Sequence, residues 1–407
     1  MTPKQSAAPP LSPNQRAWRR FRRNRPAVFG LVVIIFALLI AILGYWLAID
    51  DTPHANDQLV EVQLKNPGFR VDLLAVRRNA VVEQRSAWSR MWYGQPNPRR
   101  LIPITDYRFH ADSITVSLYE GEEVLRGGAL KESFALVDVI FPLPVEPQRS
   151  HVAGLVRFRD RAGQLRQYRT EELQQIIKKD HLFTRSYPLG SDIFGRCLYS
   201  RLILGVRISL LVGLIAVFIS LSIGIVVGAL AGYLGGWVDD VLMLFINTIW
   251  SIPTLLLVFA IVLALGRAIE NIFIAVGLTM WVEVARSVRG QVMVVKRMAF
   301  VEAAQSMGLG SGRILLRHIL PNVLGPVMVV AAAKFATAIL VEAGLSYLGF
   351  GIEPPQPSWG TMLNENYGYA ISGKPLVALV PALAILLLVL AFNLVGNGFR
   401  DALDVKA

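Results

Sequence analysis

Residues 300–321 read FVEAAQSMGLGSGRILLRHILP and lie between two apolar runs, residues 272–288 and 323–343. Residues 301–307 are mostly good helix formers. Gly308, Gly310 and Gly312 then supply positions where a left-handed residue can end one helix and turn the chain. Ser311 can cap a second helix through its hydroxyl, and residues 313–320 continue it. Pro321 fits the first turn of the next apolar run, where a missing N–H is no loss. The expectation is a helix-turn-helix hairpin outside the bilayer. As an amphipathic connector it would lie among headgroups, with Ile314, Leu315 and Ile319 toward lipid and Arg313, Arg317 and His318 toward phosphates.

Outward from this hairpin, the apolar runs set the fold class. With 54% hydrophobic and 17% charged residues in 407, the chain is too apolar for a soluble enzyme of its length. Residues 27–49 are long enough to cross a roughly 30 Å hydrocarbon core as a helix, and the apolar runs 208–231, 241–265, 272–288, 323–343 and 376–395 read as five further spans. The expected fold is therefore an α-helical polytopic membrane protein with six spans. The arginines of RRFRRNR, residues 19–25, precede the first run and retain the N-terminus in the cytoplasm. That run exceeds the apolar core of a secretory signal, about 7–15 residues, and no small-x-small cleavage site follows, so it reads as an uncleaved span. Arg286, Arg289, Lys296, Arg297, Arg313 and Arg317 surround the hairpin and place it on the same side. The net charge of +12 thus serves topology rather than nucleic acid. The single cysteine, Cys197, excludes an intrachain disulfide and a cysteine metal site.

The domains expected are a basic cytoplasmic arm at 1–26, the first span at 27–49, an extracytoplasmic α+β insert at 50–201, the main helical domain at 202–396 with the hairpin at 299–321, and a cytoplasmic tail at 397–407. In the insert, residues 113–118 and 134–141 have strand composition, and residues 152–158 pair with 164–168 across the turn at 160–163. Thr170 with Glu171 and Glu172 marks a helix start, carried on by Leu173, Ile176 and Ile177. His110, His151 and His181 lack metal-ligand spacing, so the expectation is no metal site and no catalytic constellation.

Within the spans, Gly224, Gly228 and Gly232 repeat at intervals of four and favour close helix packing. Asn247, Thr248, Ser251 and Pro253 interrupt residues 241–265, as suits either a helix lining a path or polar packing between helices. Glu283 and Arg286 stand one turn apart and can pair. Lys334 lies mid-span and Glu342 near its outer end. An intramembrane lysine costs about 2.5–3.5 kcal/mol on insertion scales, so it should face the bundle interior as part of an ion pair or a solute contact.

Several of these stretches also carry a family resemblance. Glu302-Ala303-Ala304, Gly308 and Ile319-Leu320-Pro321 closely resemble the cytoplasmic coupling motif, the EAA motif, of ABC importer permeases. Residues 187–207, YPLGSDIFGRCLYSRLILGVR, form a turn at Pro188, Gly190 and Asp192, with Ser191 or Asp192 able to cap the helix that follows. They resemble the pre-span signature of the dipeptide, oligopeptide and nickel branch, with Cys197 where an aspartate is usual. Residues 342–351, EAGLSYLGFG, followed by Pro354, Pro355, Pro357 and Trp359, resemble that branch's outer loop. Residues 396–404 resemble its C-terminal signature, with Asn397 and Val405 as departures. The resemblance covers residues 12–49 and 186–405 but not the insert, and is nearest to the C-subunit type of oligopeptide permease.

The resemblance implies a type I importer fold and the permease subunit of an ATP-driven importer in a bacterial inner membrane. Its hairpin would dock into a groove on an ATPase subunit, with Glu302 offering charge and Ala303 and Ala304 allowing close approach. The partners implied are a second permease, two ATPase subunits, an extracytoplasmic solute-binding protein meeting Gly344, Ser346, Tyr347, Gly349 and Trp359, and a short peptide, or else nickel or another small solute. No G-x-x-x-x-G-K-[ST] loop occurs, so ATP and Mg would be used by partner subunits and this chain would bind no cofactor. Asn247, Ser251, Pro253, Lys334 and Glu342 are the residues expected along the path. A secondary transporter is the competing class, yet it would carry ionisable relays inside its spans, and residues 208–231 and 241–265 contain none.

Overall fold

The structure, a computed structural model, describes residues 13–403 apart from 80–81, 122–129, 145–148, 153 and 162. In chain order it runs through helices α1 (Pro13–Arg23) and α2 (Arg25–Leu47), strand β1 (Phe69–Arg77), helix α3 (Ala87–Tyr93), strands β2 (Arg99–Phe109), β3 (Ser113–Leu118) and β4 (Lys131–Ala135), and helix α4 (Leu136–Ile140). Strands β5 (Arg149–Val152), β6 (Leu155–Arg159) and β7 (Leu165–Arg169), helix α5 (Thr170–Ile176) and strand β8 (Leu182–Tyr187) complete the insert. Then come the helices α6 (Leu198–Leu234), α7 (Gly236–Trp250), α8 (Thr254–Leu265), α9 (Ile269–Lys296), α10 (Ala299–Ser306), α11 (Ser311–Ile314), α12 (Leu320–Tyr347), α13 (Trp359–Ile371) and α14 (Leu376–Leu403). The expected fold class, a helical polytopic membrane protein with a sheet-containing insert after its first span, is the one observed. The chain divides into two compact units, Met1–Ala41 with Gly205–Asn364 and Pro381–Ala407, and Ile42–Leu204 with Glu365–Val380.

In the first unit the glycine repeat of α6 lies against α9. A Cβ on Gly224 would come 2.6 Å from the Val284 side chain, and one on Gly228 2.3 Å from the Ala285 carbonyl oxygen. Only a missing side chain permits that approach. Arg289 of α9 makes a bidentate pair with Asp239 of α7, at 2.6 and 2.5 Å, and the Lys296 ammonium caps the Tyr233 carbonyl near the end of α6 at 2.6 Å. The third apolar run departs from a single span: α7 and α8 meet at an angle of 87°. Pro253 stands at the break, where its ring clashes with the carbonyl four residues back and its missing N–H ends the ladder. Among the described residues, five helices are long and apolar enough to cross a membrane, or six with this bent pair taken as one span.

The basic arm is helical rather than extended over its described part. Phe21 is buried and stacks on Phe399 of α14 at 4.9 Å, over Gly398, while Asn24 bonds Asp401 at 3.0 Å. Residues 1–12 of the arm and 404–407 of the tail lie outside the described residues.

In the second unit, an antiparallel five-stranded sheet runs in the order β4-β3-β2-β1-β8, and β5-β6-β7 form a three-stranded one. Leu74, Ile102, Ile114, Val116, Phe158, Leu173 and Ile177 make one core with them. Two expectations are corrected, and the expected hairpin is present. Residues 136–140 are a helix, because three of them, Leu136, Val137 and Val139, bury together on a single short turn. The hairpin pairs β6 with β7 in the register Val156↔Tyr168 and Phe158↔Arg166. Arg169, not Thr170, precedes the first turn of α5, its N–H donating to the Glu172 carboxylate at 3.1 Å. His181 is buried and bonds the Ala75 carbonyl, and desolvation holds its pKa below the ordinary histidine value. The side chain of His151 lies outside the described residues.

The turn before α6 is built on buried charge. Asp192 accepts from the Arg196 guanidinium at 2.6 Å, Arg196 also meets Glu365 at 2.6 Å, and Arg201 lies 3.7 Å from Asp192 and 3.5 Å from Glu365. Asp192 also accepts the Phe194 and Arg196 N–H groups. Neither expected cap operates: Asp192 closes the turn, Ser191 donates to the Val62 carbonyl, and α6 begins only at Leu198.

Candidate functional site

Helix α10 ends in a glycine-dependent reversal. Gly308 adopts φ +77°, its N–H donates to the Gln305 carbonyl at 2.9 Å, and the Leu309 N–H donates to the Ala304 carbonyl at 3.2 Å. This pair of bonds is the Schellman arrangement that terminates a helix with a left-handed residue. Gly310 and Gly312 keep ordinary φ, so only Gly308 uses glycine's conformational freedom. The second arm starts with Gly310 at the cap position, not Ser311. It passes through a π-helical segment, Leu315–Ile319, and runs into α12 with Pro321 in the first turn. The wider turn displaces the bonding register ahead of a residue that has no N–H to give.

The hairpin has a buried and an open side. Val301, Ala304, Ile314, Ile319 and Val323 are buried with Tyr233, Val284, Val288, Val292 and Val295 of α6 and α9. This corrects the lipid-lying alternative, since Ile314 and Ile319 face the helix core rather than lipid. Ala304 and Ile319 thereby position the hairpin instead of meeting a partner. Phe300, Glu302, Ala303 and Pro321 are exposed, Leu320 is half-buried, and Met307 and Leu316 are 73% and 68% exposed. Phe300, Met307 and Leu316 were not singled out by sequence pattern. Their signal is large apolar side chains left outside the buried face of Val301, Ala304 and Ile314, which emerges only once the inward face is known.

Of the expected path residues, Asn247, Ser251 and Pro253 are exposed around the α7–α8 bend, and the Ser251 hydroxyl donates to the Thr248 carbonyl at 2.7 Å. Lys334 is buried in α12 with its ammonium on the carboxylate of Glu283 in α9. Of the two alternatives for the lysine, the ion pair is the arrangement present. The expected Glu283–Arg286 pair is replaced by this contact, and Arg286 lies over the Trp250 ring at 4.0 Å. Glu342 is wholly buried and accepts the Ser346 hydroxyl at 2.7 Å, so it braces the end of α12 rather than lining an open channel.

The outer loop divides in the same way. Tyr347 and Gly349 are exposed and Gly344 is half-buried, whereas Ser346 and Trp359 are buried. Ser346 sits under Gly351 and Gly360, where any Cβ would collide with it, and Trp359 covers Gly205 of α6. Both hold the loop from beneath and are corrected as surface residues.

Residues 224–407 match the family model described as binding-protein-dependent transport system inner membrane component, and residues 12–67 match the N-terminal TM domain of oligopeptide transport permease C. The glutathione transport system permease protein GsiD of Shigella flexneri serotype 5b is 47% identical over 217 residues, 53% of this chain and 71% of the relative. Its counterpart in Pectobacterium atrosepticum is 42% identical over 218 residues, 54% of this chain and 72% of the relative. A solved chain of the MetNI methionine ABC transporter, inward-facing, is 19% identical with a TM-score of 0.42, covering 50% of this chain and 96% of that one. With that extent of identity to its curated relatives, the chain belongs to the binding-protein-dependent permeases, the multi-pass inner-membrane subunits of ABC importers.

Proposed function

We propose that this permease carries short peptides, as one of two different permease subunits that enclose a path between them, and that its hairpin is where ATP energy enters. The observation that supports the coupling role is the hairpin's division into a face seated on α6 and α9 and an open face of Phe300, Glu302, Ala303, Met307 and Leu316. A surface so seated transmits displacement to two spans at once. ATP with Mg is held and hydrolysed by two separate subunits, and this chain binds no cofactor. A solute-binding protein delivers peptide to the outer loop around Tyr347 and Gly349, and the exposed Asn247 and Ser251 at the α7–α8 bend border the path. Glutathione, the solute in the relatives' names, is a tripeptide, which favours peptide over nickel. Reconstituted with its partner subunits in proteoliposomes, the complex should hydrolyse ATP several-fold faster when its binding protein is loaded with a short peptide. Stimulation by nickel alone would overturn the peptide assignment.

Both termini and the hairpin are cytoplasmic in this reading, and the insert is extracytoplasmic. With Cys197 replaced by serine, a cysteine at Ser150 should react with an impermeant maleimide in intact cells, whereas one at Ser311 should react only after permeabilisation. Reaction at Ser311 from outside would invert the topology.

A further inference from the structure

Helix α3 lies outside the residues assigned to coupling and to the path, and it displays an exposed aromatic cluster. Met91 is its buried anchor, while Trp88, Trp92 and Tyr93 are 71%, 41% and 66% exposed. Trp88 and Trp92 lie one turn apart with ring centroids 6.3 Å apart, edge to face. Large apolar rings side by side in water forgo about 25 cal/mol for every Å² left uncovered, so such a patch marks a contact surface.

Its position says which contact. The C-terminal end of α3 is fastened to the end of the first span. Gly94, at φ +69°, approaches so closely that a Cβ would stand 2.6 Å from the Asp51 carbonyl and 2.6 Å from the Tyr45 ring. The Gln95 N–H donates to the same Asp51 carbonyl at 2.9 Å, and Arg90 pairs with the Asp51 carboxylate at 3.3 Å. Helix α2 ends at Leu47, and its last turns still expose Ile42 and Trp46. The aromatic face of α3 is therefore tied to the level at which an apolar span leaves the hydrocarbon. Tryptophan and tyrosine are the side chains that settle at that level, with an apolar ring below and a polar N–H or O–H above. Arg85, which donates to the Tyr93 and Gly94 carbonyls, adds positive charge beside the rings, where anionic headgroups attract it.

We infer that α3 is an interfacial anchor: Trp88, Trp92 and Tyr93 insert among lipid headgroups beside the first span and pin the insert to the outer membrane–water boundary. The occupant is lipid because α3 is fastened, through Gly94 and Gln95, to the end of a span whose surroundings are lipid.

The test uses the full chain with Cys197→Ser, a nitroxide placed singly at residue 88, 92 or 165, and vesicles of phosphatidylethanolamine and phosphatidylglycerol. Leu165 is an exposed residue of β7 and serves as the water reference. The ratio of oxygen to nickel-chelate collision rates at 88 and 92 should exceed that at 165 several-fold. Ratios equal to that at 165 would overturn the anchor, and so would protection that arises only on adding the solute-binding protein, which would assign the patch to a protein. An independent measurement leaves the side chains unlabelled: lipid brominated near the headgroup should quench the native chain's tryptophan fluorescence more than that of Trp88→Phe/Trp92→Phe. Equal fractional quenching would overturn it as well.

Discussion

A chain carrying Gly308→Val with Glu302→Lys should insert into the membrane at near-normal levels, yet lose its ATPase subunits on purification and cease uptake. At φ +77° a β-branched residue is strained whatever the space around it. Apart from its chain neighbours, no heavy atom of the described residues lies within 4 Å of where a Cβ at Gly308 would stand, so the cost comes from the backbone, about 1 kcal/mol or more. That is too little to unfold spans buried in lipid, but it opens the reversal that joins Ala304 to Leu309 and tilts α10 away from its seat. Glu302 is exposed, and its reversal to lysine leaves the fold alone while changing the sign of the charge offered to a partner. Pull-down of the ATPase from solubilised membranes reads the outcome directly. Normal association in the double variant would sink the coupling role.

Asp192→Asn should have the largest effect on stability. The Asp192, Arg196 and Arg201 side chains are almost completely buried, and Asp192 is within 3.7 Å of both guanidinium groups. Removing its charge takes one carboxylate partner, Asp192, from a pair of buried cations that also meet Glu365. Breaking a buried pair in this way costs about 3–5 kcal/mol, because the surviving charge keeps its desolvation penalty without its partner. The thermal midpoint in detergent should fall markedly, and Asp192→Asn/Arg196→Met should recover part of the loss by deleting one orphaned charge. An unchanged midpoint for the single variant would show that the network carries no net energy.

The contrast between these two sites explains what could be read in advance. Gly308 and Pro321 act through their own φ and missing N–H, so the hairpin's turn and its junction with α12 follow from local chemistry. The Asp192 network joins residues up to 173 positions apart, from Asp192 to Glu365, and no local spacing announces it. Lys334 illustrates the same limit. Its cost in a span announces that a partner exists, yet Glu283, on another helix, was assigned to Arg286 by proximity in sequence.

Span length, charge position and glycine conformation are properties of consecutive residues, so the membrane class, the apolar runs, the basic segments flanking them and the hairpin are legible along the chain. Packing set which side of each element is used. It turned Ala304, Ile319, Ser346 and Trp359 inward, bent the third apolar run by 87° at Pro253, and returned β8 to pair with β1 more than a hundred residues away. The physical reason is that burial and pairing depend on the neighbour that arrives. In a chain apolar on most faces of its helices, periodicity does not say which face that neighbour will cover.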